Sequence, residues 1–107
     1  MSDERRLKER KPLKTYAFLT PEGSASIEME TIDISIGGLC IRSSQQLIVG
    51  QSYNLAFDVL LNGNPRRIAT LAEVAYSISV GEFYKTGLRF LEMDNGSTAI
   101  LDEFTEN

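Results

Sequence analysis

Between Thr15 and Phe90 apolar residues recur at every second position, in short runs separated by Gly, Pro, Asn and Asp. That period is the signature of strands with one buried face. Tyr53, Leu55, Phe57, Val59 and Leu61 mark one long strand, and Asn62-Gly63 closes it with a hairpin signal. Ile68, Thr70, Ala72, Val74, Tyr76 and Ile78 mark the return strand. Thr15 to Thr20 reads as a first strand, followed by the turn residues Pro21-Glu22-Gly23. Tyr84, Leu88 and Phe90 face inward from the last strand, with Gly87 on the other face. Short strands joined by turns, without helical crossovers, predict an antiparallel barrel. Asp94-Asn95-Gly96-Ser97 offers caps for a short final helix whose apolar side is Ile100, Leu101 and Phe104. That helix is expected to plug one end of the barrel.

One segment departs from even alternation. In Ser26 to Ile36 the apolar positions are first Ile27 and Met29, then Ile32, Ile34 and Ile36. The change of parity at Glu30-Thr31 predicts a bulge that turns Asp33 and Ser35 together onto the outer face. Gly37 and Gly38 follow, where the backbone can take φ > 0 or admit a close ligand. Leu39-Cys40-Ile41-Arg42 then resumes the alternation. A carboxylate, a hydroxyl and open backbone amides within one patch suit a polar heterocycle.

Charge divides the chain. Residues 1–14 carry a net +3 and residues 15–107 a net −7, giving −4 over 107 residues. Residues 1–11, with Arg5, Arg6 and Arg10, read as a mobile basic arm, and residues 12–107 as one barrel domain. A basic arm on an acidic body favours a small, highly charged anion over a nucleic-acid polymer. The absence of His removes the commonest general base and metal ligand. No phosphate-binding Gly-x-x-x-x-Gly-Lys loop is present. Ser35 has no nearby base to activate it, so no enzyme, catalytic residue, metal or cofactor is expected. The lone Cys40 reads as a small, partly buried residue and fits a reducing, cytoplasmic setting. No stretch is apolar enough to span a bilayer, and a monomer is expected.

Arg6-Leu7-Lys8-Glu9-Arg10 reads Arg-x-x-x-Arg, and Asp33-Ile34-Ser35-Ile36-Gly37-Gly38 reads Asp-x-Ser-x-x-Gly. In this order and separation the pair resembles the signature of the PilZ domain, a bacterial receptor for cyclic di-GMP. Tyr84-Lys85-Thr86-Gly87-Leu88-Arg89-Phe90 is similar to that family's last barrel strand. The resemblance implies a six-stranded antiparallel barrel. It also implies cyclic di-GMP as ligand, held by Arg6, Arg10, Asp33, Ser35 and Gly38 with the backbone around Gly37. Arg5, directly before the first motif, is associated in that family with an intercalated dimer of the ligand. Tyr76 stands where some relatives stack an aromatic on guanine, although its parity with Val74 and Ile78 equally reads as core. The implied role is a free-standing adaptor that controls an unidentified protein target in motility, biofilm or virulence. The alternative within the family is a protein-interaction barrel that no longer binds nucleotide, as in pilus assembly. An OB-like single-strand binder would need aromatic platforms on a basic face, which this acidic body lacks.

Overall fold

In the computed structural model, which describes residues 9–106, the alternating runs become one closed sheet. The strands are β1 (Lys11–Pro12), β2 (Tyr16–Thr20), β3 (Ile27–Ile34), β4 (Gly38–Ser43), β5 (Ser52–Leu61), β6 (Asn64–Val80) and β7 (Phe83–Met93). They pair antiparallel in the order β1-β3-β2-β5-β6-β7-β4, and a β3–β4 pairing closes the ring. Six strands therefore form the barrel, and β1 is an extra strip laid on β3. Lys11, placed with the arm by its sequence, pairs with Ile34 in that strip, and Pro12 pairs with Asp33.

β5 alternates as its sequence demands, with Tyr53, Leu55, Phe57, Val59 and Leu61 all buried. Asn62 and Gly63 both take positive φ (52° and 82°), the geometry that a two-residue hairpin requires. Phe57 stacks on Phe90 with centroids 6.2 Å apart, inside a core that includes Leu19, Ile34, Leu39, Ile41, Ile68 and Leu88. Tyr84 is only half buried at the start of β7 and lies outside that core.

Two bulges fall where apolar spacing misplaces them. On β3, Thr31 pairs with Ile41 and Asp33 with Cys40, so the additional residue is Ile32 rather than Glu30-Thr31. Thr31 points inward because its hydroxyl has partners there. It donates to the Leu13 carbonyl at 2.7 Å and accepts from the Thr15 amide at 2.9 Å, pinning the link between β1 and β2. On β6, Val74 pairs with Leu88 and Tyr76 with Gly87, so Ala75 is inserted. Ile78, expected inward, is therefore turned out, and of the two readings left open for Tyr76 the core one fails; the two are 52% and 39% exposed. Ser77 takes the inner position and joins a buried hydroxyl chain, 2.8 Å from Thr86, which is 3.3 Å from Ser43. Hydroxyls satisfy one another there, so that end of the wall needs no apolar residue.

The helix, α1, runs Asn95–Glu106, and Leu101 enters the core with Ile100 and Phe104 packed beside it. Asp94 caps it, accepting the Ser97 amide at 2.6 Å. Ser97 in turn accepts the Ala69 amide at 3.0 Å, fastening the helix to β6. Lys11 donates to the Phe104 carbonyl at 2.7 Å with its ammonium 4.5 Å from that ring's centre. The helix and β1 thus hold each other. Among the described residues no helix is long and apolar enough to cross a membrane. Asp94→Ala should lower unfolding stability by about 1 kcal/mol, read as a lower urea midpoint with an unchanged slope. An unchanged midpoint would show that the Ser97–Ala69 bond holds the helix without its cap.

Candidate functional site

Arg10 stands one residue before β1, and the pairing of β1 with β3 delivers it to the end of the β3–β4 hairpin. Its Nε donates to Asp33 Oδ1 at 2.5 Å, its Nη1 to Ser35 Oγ at 3.1 Å and its Nη2 to the Gly38 carbonyl at 3.3 Å. One guanidinium therefore gathers three acceptors that lie 23, 25 and 28 residues further along the chain. The two motifs meet at this group.

Asp33 and Ser35 do not share an outward strand face, as alternation suggested. β3 ends at Ile34, and Ser35 belongs to the hairpin turn, where its amide donates to Gly38 O at 2.9 Å. Ser35 is 3% exposed, whereas the Asp33 side chain is 24% exposed. The guanidinium reunites them from above. Gly37, whose amide donates to Ser35 Oγ at 3.3 Å, faces open space. Gly38 serves a different purpose. A Cβ there would stand 2.3 Å from the Leu88 carbonyl, so glycine is required for β4 to lie this close to β7. Neither glycine takes positive φ.

The Ala75 bulge completes the site. It sets the Tyr76 ring across Gly87, where a Cβ would lie 2.3 Å from the ring carbon Cε2. The phenol reaches Cys40 Sγ at 3.7 Å and covers it, so Cys40 is buried although it lies outside the barrel core. Burial pushes the Cys40 thiol up, and the Tyr76 phenol is raised first by burial and then by its bond to Cys40. Both groups are protonated at neutral pH. Arg10, Ser35, Gly37, Gly38, Tyr76 and Gly87 line one pocket of about 240 Å³, together with Arg89. A larger hollow of about 1210 Å³ lies elsewhere, floored by Ala56 and Ala69, and its cation Arg67 is ion-paired to Asp58. The smaller pocket is the one that holds residues of both sequence motifs, Arg10 from the first and Ser35, Gly37 and Gly38 from the second.

The sequence profile of the PilZ domain matches residues 4–107. The chain belongs to the PilZ domain family. Comparison with solved structures places three PilZ-type folds beside it. The Bacillus subtilis inhibitor of motility (MotI/DgrA) superposes with TM-score 0.80 at 22% identity, over 91% of this chain and 47% of that one. This PilZ chain thus spans about half the length of the Bacillus protein. The PilZ domain of YcgR from Escherichia coli, solved with c-di-GMP, has TM-score 0.64 at 14% identity, covering 92% and 86%. The PilZ domain of CeSA from a cellulose-synthesizing bacterium has TM-score 0.60 at 15% identity, covering 92% and 96%. A comparison with curated protein sequences returned no significant match.

Of the residues singled out from the sequence, Arg10, Ser35, Gly37, Gly38 and Tyr76 line the smaller pocket, with Asp33 bonded to Arg10 at its rim. Arg5 and Arg6 lie outside the described residues. Arg89 was not singled out. Its place depends on the pairing of Gly38 with Arg89, which no local spacing reveals. Among the described residues no cluster of His, Cys, Asp or Glu is arranged to hold a metal ion. Gly38→Ala should destabilise the fold by roughly 1–3 kcal/mol in urea denaturation, because the added methyl meets backbone rather than a side chain. Gly37→Ala should stay within about 0.5 kcal/mol of wild type. Equal losses at the two positions would contradict the close approach assigned to Gly38.

Proposed function

We propose that the chain is a cyclic di-GMP receptor that binds its ligand at the Arg10 pocket and passes the signal to a protein target. The observation that carries this reading is the single guanidinium of Arg10 bonded to both Asp33 and Ser35. Those groups match guanine from complementary sides. An Arg fork fits the N7 and O6 acceptors, and a carboxylate fits the N1–H and N2–H donors. Asp33 has two oxygens, so a base can be accepted while Arg10 retains one of them. Tyr76 offers a half-exposed ring beside the same pocket for stacking on guanine. The pocket of about 240 Å³ suits a base rather than a whole cyclic dinucleotide. The remainder of the ligand must therefore lie over the surface, where Arg5 and Arg6 can be drawn onto its phosphates, as one molecule or an intercalated pair.

Ordering the arm costs about 1–2 kcal/mol per residue in backbone entropy, which only several charge-assisted contacts acting together offset. Binding then changes charge and shape on one face, creating or removing a docking surface. Family membership and the c-di-GMP-bound Escherichia coli relative support this reading. The Bacillus relative, an inhibitor of motility, supports a motility-type output. The domain acts as a binding adaptor rather than an enzyme, and a cytoplasmic setting suits a cytoplasmic second messenger.

Titration calorimetry with cyclic di-GMP tests this directly. Wild type should bind, and Arg6→Ala, Arg10→Ala and Asp33→Ala should each weaken binding roughly 5- to 150-fold, since one lost bidentate contact is about 1–3 kcal/mol. Arg10→Lys should also weaken it, because an ammonium cannot reproduce the fork. Wild-type heat that persists unchanged in all of these variants would move the ligand to another site.

A further inference from the structure

We infer that Arg89 is a further anion-binding cation of the pocket and that Glu73 is its built-in competitor, surrendering it to a phosphate of the bound cyclic dinucleotide. The inference rests on the receptor reading above. It starts from sheet register. Across β4, β7 and β6 the residues Gly38, Arg89 and Glu73 lie in one row, and Cys40, Gly87 and Tyr76 lie in the next outward row. Between them runs the inward row of Leu39, Leu88 and Val74. Residues two apart on a strand share a face, so Arg89 emerges on the same outer surface as the Tyr76 ring. The Ala75 bulge is what keeps Tyr76 level with Gly87.

Glycine decides how close Arg89 comes. Its cross-strand neighbour Gly38 has no side chain, and a Cβ there would collide with the Leu88 carbonyl, so its absence lets the two strands lie close. The carbonyl of that same Gly38 accepts from Arg10. Two guanidinium-bearing residues therefore flank one glycine, and both line the pocket. Like charges converging on one point repel, and each is balanced separately: Arg10 by Asp33 and Arg89 by Glu73. Arg42 and Arg67 also hold carboxylates, Glu30 and Asp58, but neither lines this pocket. Arg42 is further occupied by stacking over Phe83 at 3.9 Å.

The Arg89 side chain is 60% exposed and that of Glu73 29%, so the pair sits where a ligand oxygen can reach it. A phosphate presents fork-matching oxygens, as a carboxylate does, and exchange requires no rearrangement of the strands. Glu73 then works against binding in two ways. It must release the guanidinium, and its own charge repels the incoming phosphate. Affinity is set by this exchange as well as by the two motifs.

A double-mutant cycle in titration calorimetry with cyclic di-GMP tests the inference, with Arg42→Ala as the control cation. Arg89→Ala should weaken binding at least tenfold, whereas Arg42→Ala should change it less than twofold. Glu73→Gln should tighten binding several-fold, and in the Arg89→Ala chain the same change should tighten it clearly less, because only the charge repulsion is then relieved. Binding by Arg89→Ala within twofold of wild type would overturn the inference and leave the receptor reading intact. Equal tightening by Glu73→Gln with and without Arg89 would also overturn it, because Glu73 would then act only as a distant charge. Failure of wild type to bind would overturn the receptor reading and this inference together.

Discussion

The guanidinium of Arg10 is the tie on which the site depends. Its three donors reach a carboxylate, a hydroxyl and a backbone carbonyl, and no other side-chain type could span them with one planar group. The bond to Ser35 lies over a buried hydroxyl at a hairpin turn, so the position of Arg10 is fixed by the barrel itself. β1 supplies the other constraint. Two residues paired on β3, a Thr31 hydroxyl behind them and Lys11 on the helix end hold the backbone that carries Arg10. A basic segment that the sequence presents as a tail is thereby joined to the domain at its last residues.

The barrel serves this tie through departures from regularity. The Ile32 insertion on β3 lets Thr31 turn inward while the next residues deliver Asp33 to the rim. The Ala75 insertion on β6 brings an aromatic ring out of the wall and lays it over Gly87. Gly38 allows two backbones to approach within a distance that any Cβ would prevent. Each departure trades regular pairing for the placement of one group, as bulges beside binding sites commonly do. The cluster of Ser77, Thr86 and Ser43 accompanies the second insertion, since the displaced apolar positions are filled by hydroxyls that satisfy each other.

The architecture was legible in the sequence where alternation is strict. β5, the Asn62-Gly63 hairpin, the Asp94 cap and the apolar side of the helix all lie where spacing and turn chemistry put them. Both motifs were legible as motifs, and Arg10, Asp33 and Ser35 converge. The misreadings share one cause. Apolar character was taken to mean inward, so Ile78 was carried along the parity of Val74, a core place was left open for Tyr76, and the buried Thr31 and Ser77 were passed over. Whether a hydroxyl is buried depends on its partners, and those partners lie on strands remote in sequence. Arg89 was missed for the same reason, because its neighbours Gly38 and Glu73 come from other strands.

The central claim is that Arg10 links the two motifs and hands them to a ligand. It is tested most directly by the nitrogen-15 NMR signal of the Arg10 Nε–H group, assigned through its loss in Arg10→Lys. The bond to Asp33 should hold this signal downfield and slow its exchange with water, and saturating cyclic di-GMP should shift it together with the Tyr76 ring protons. Signals from both residues that stay in place while the ligand is bound would contradict the account.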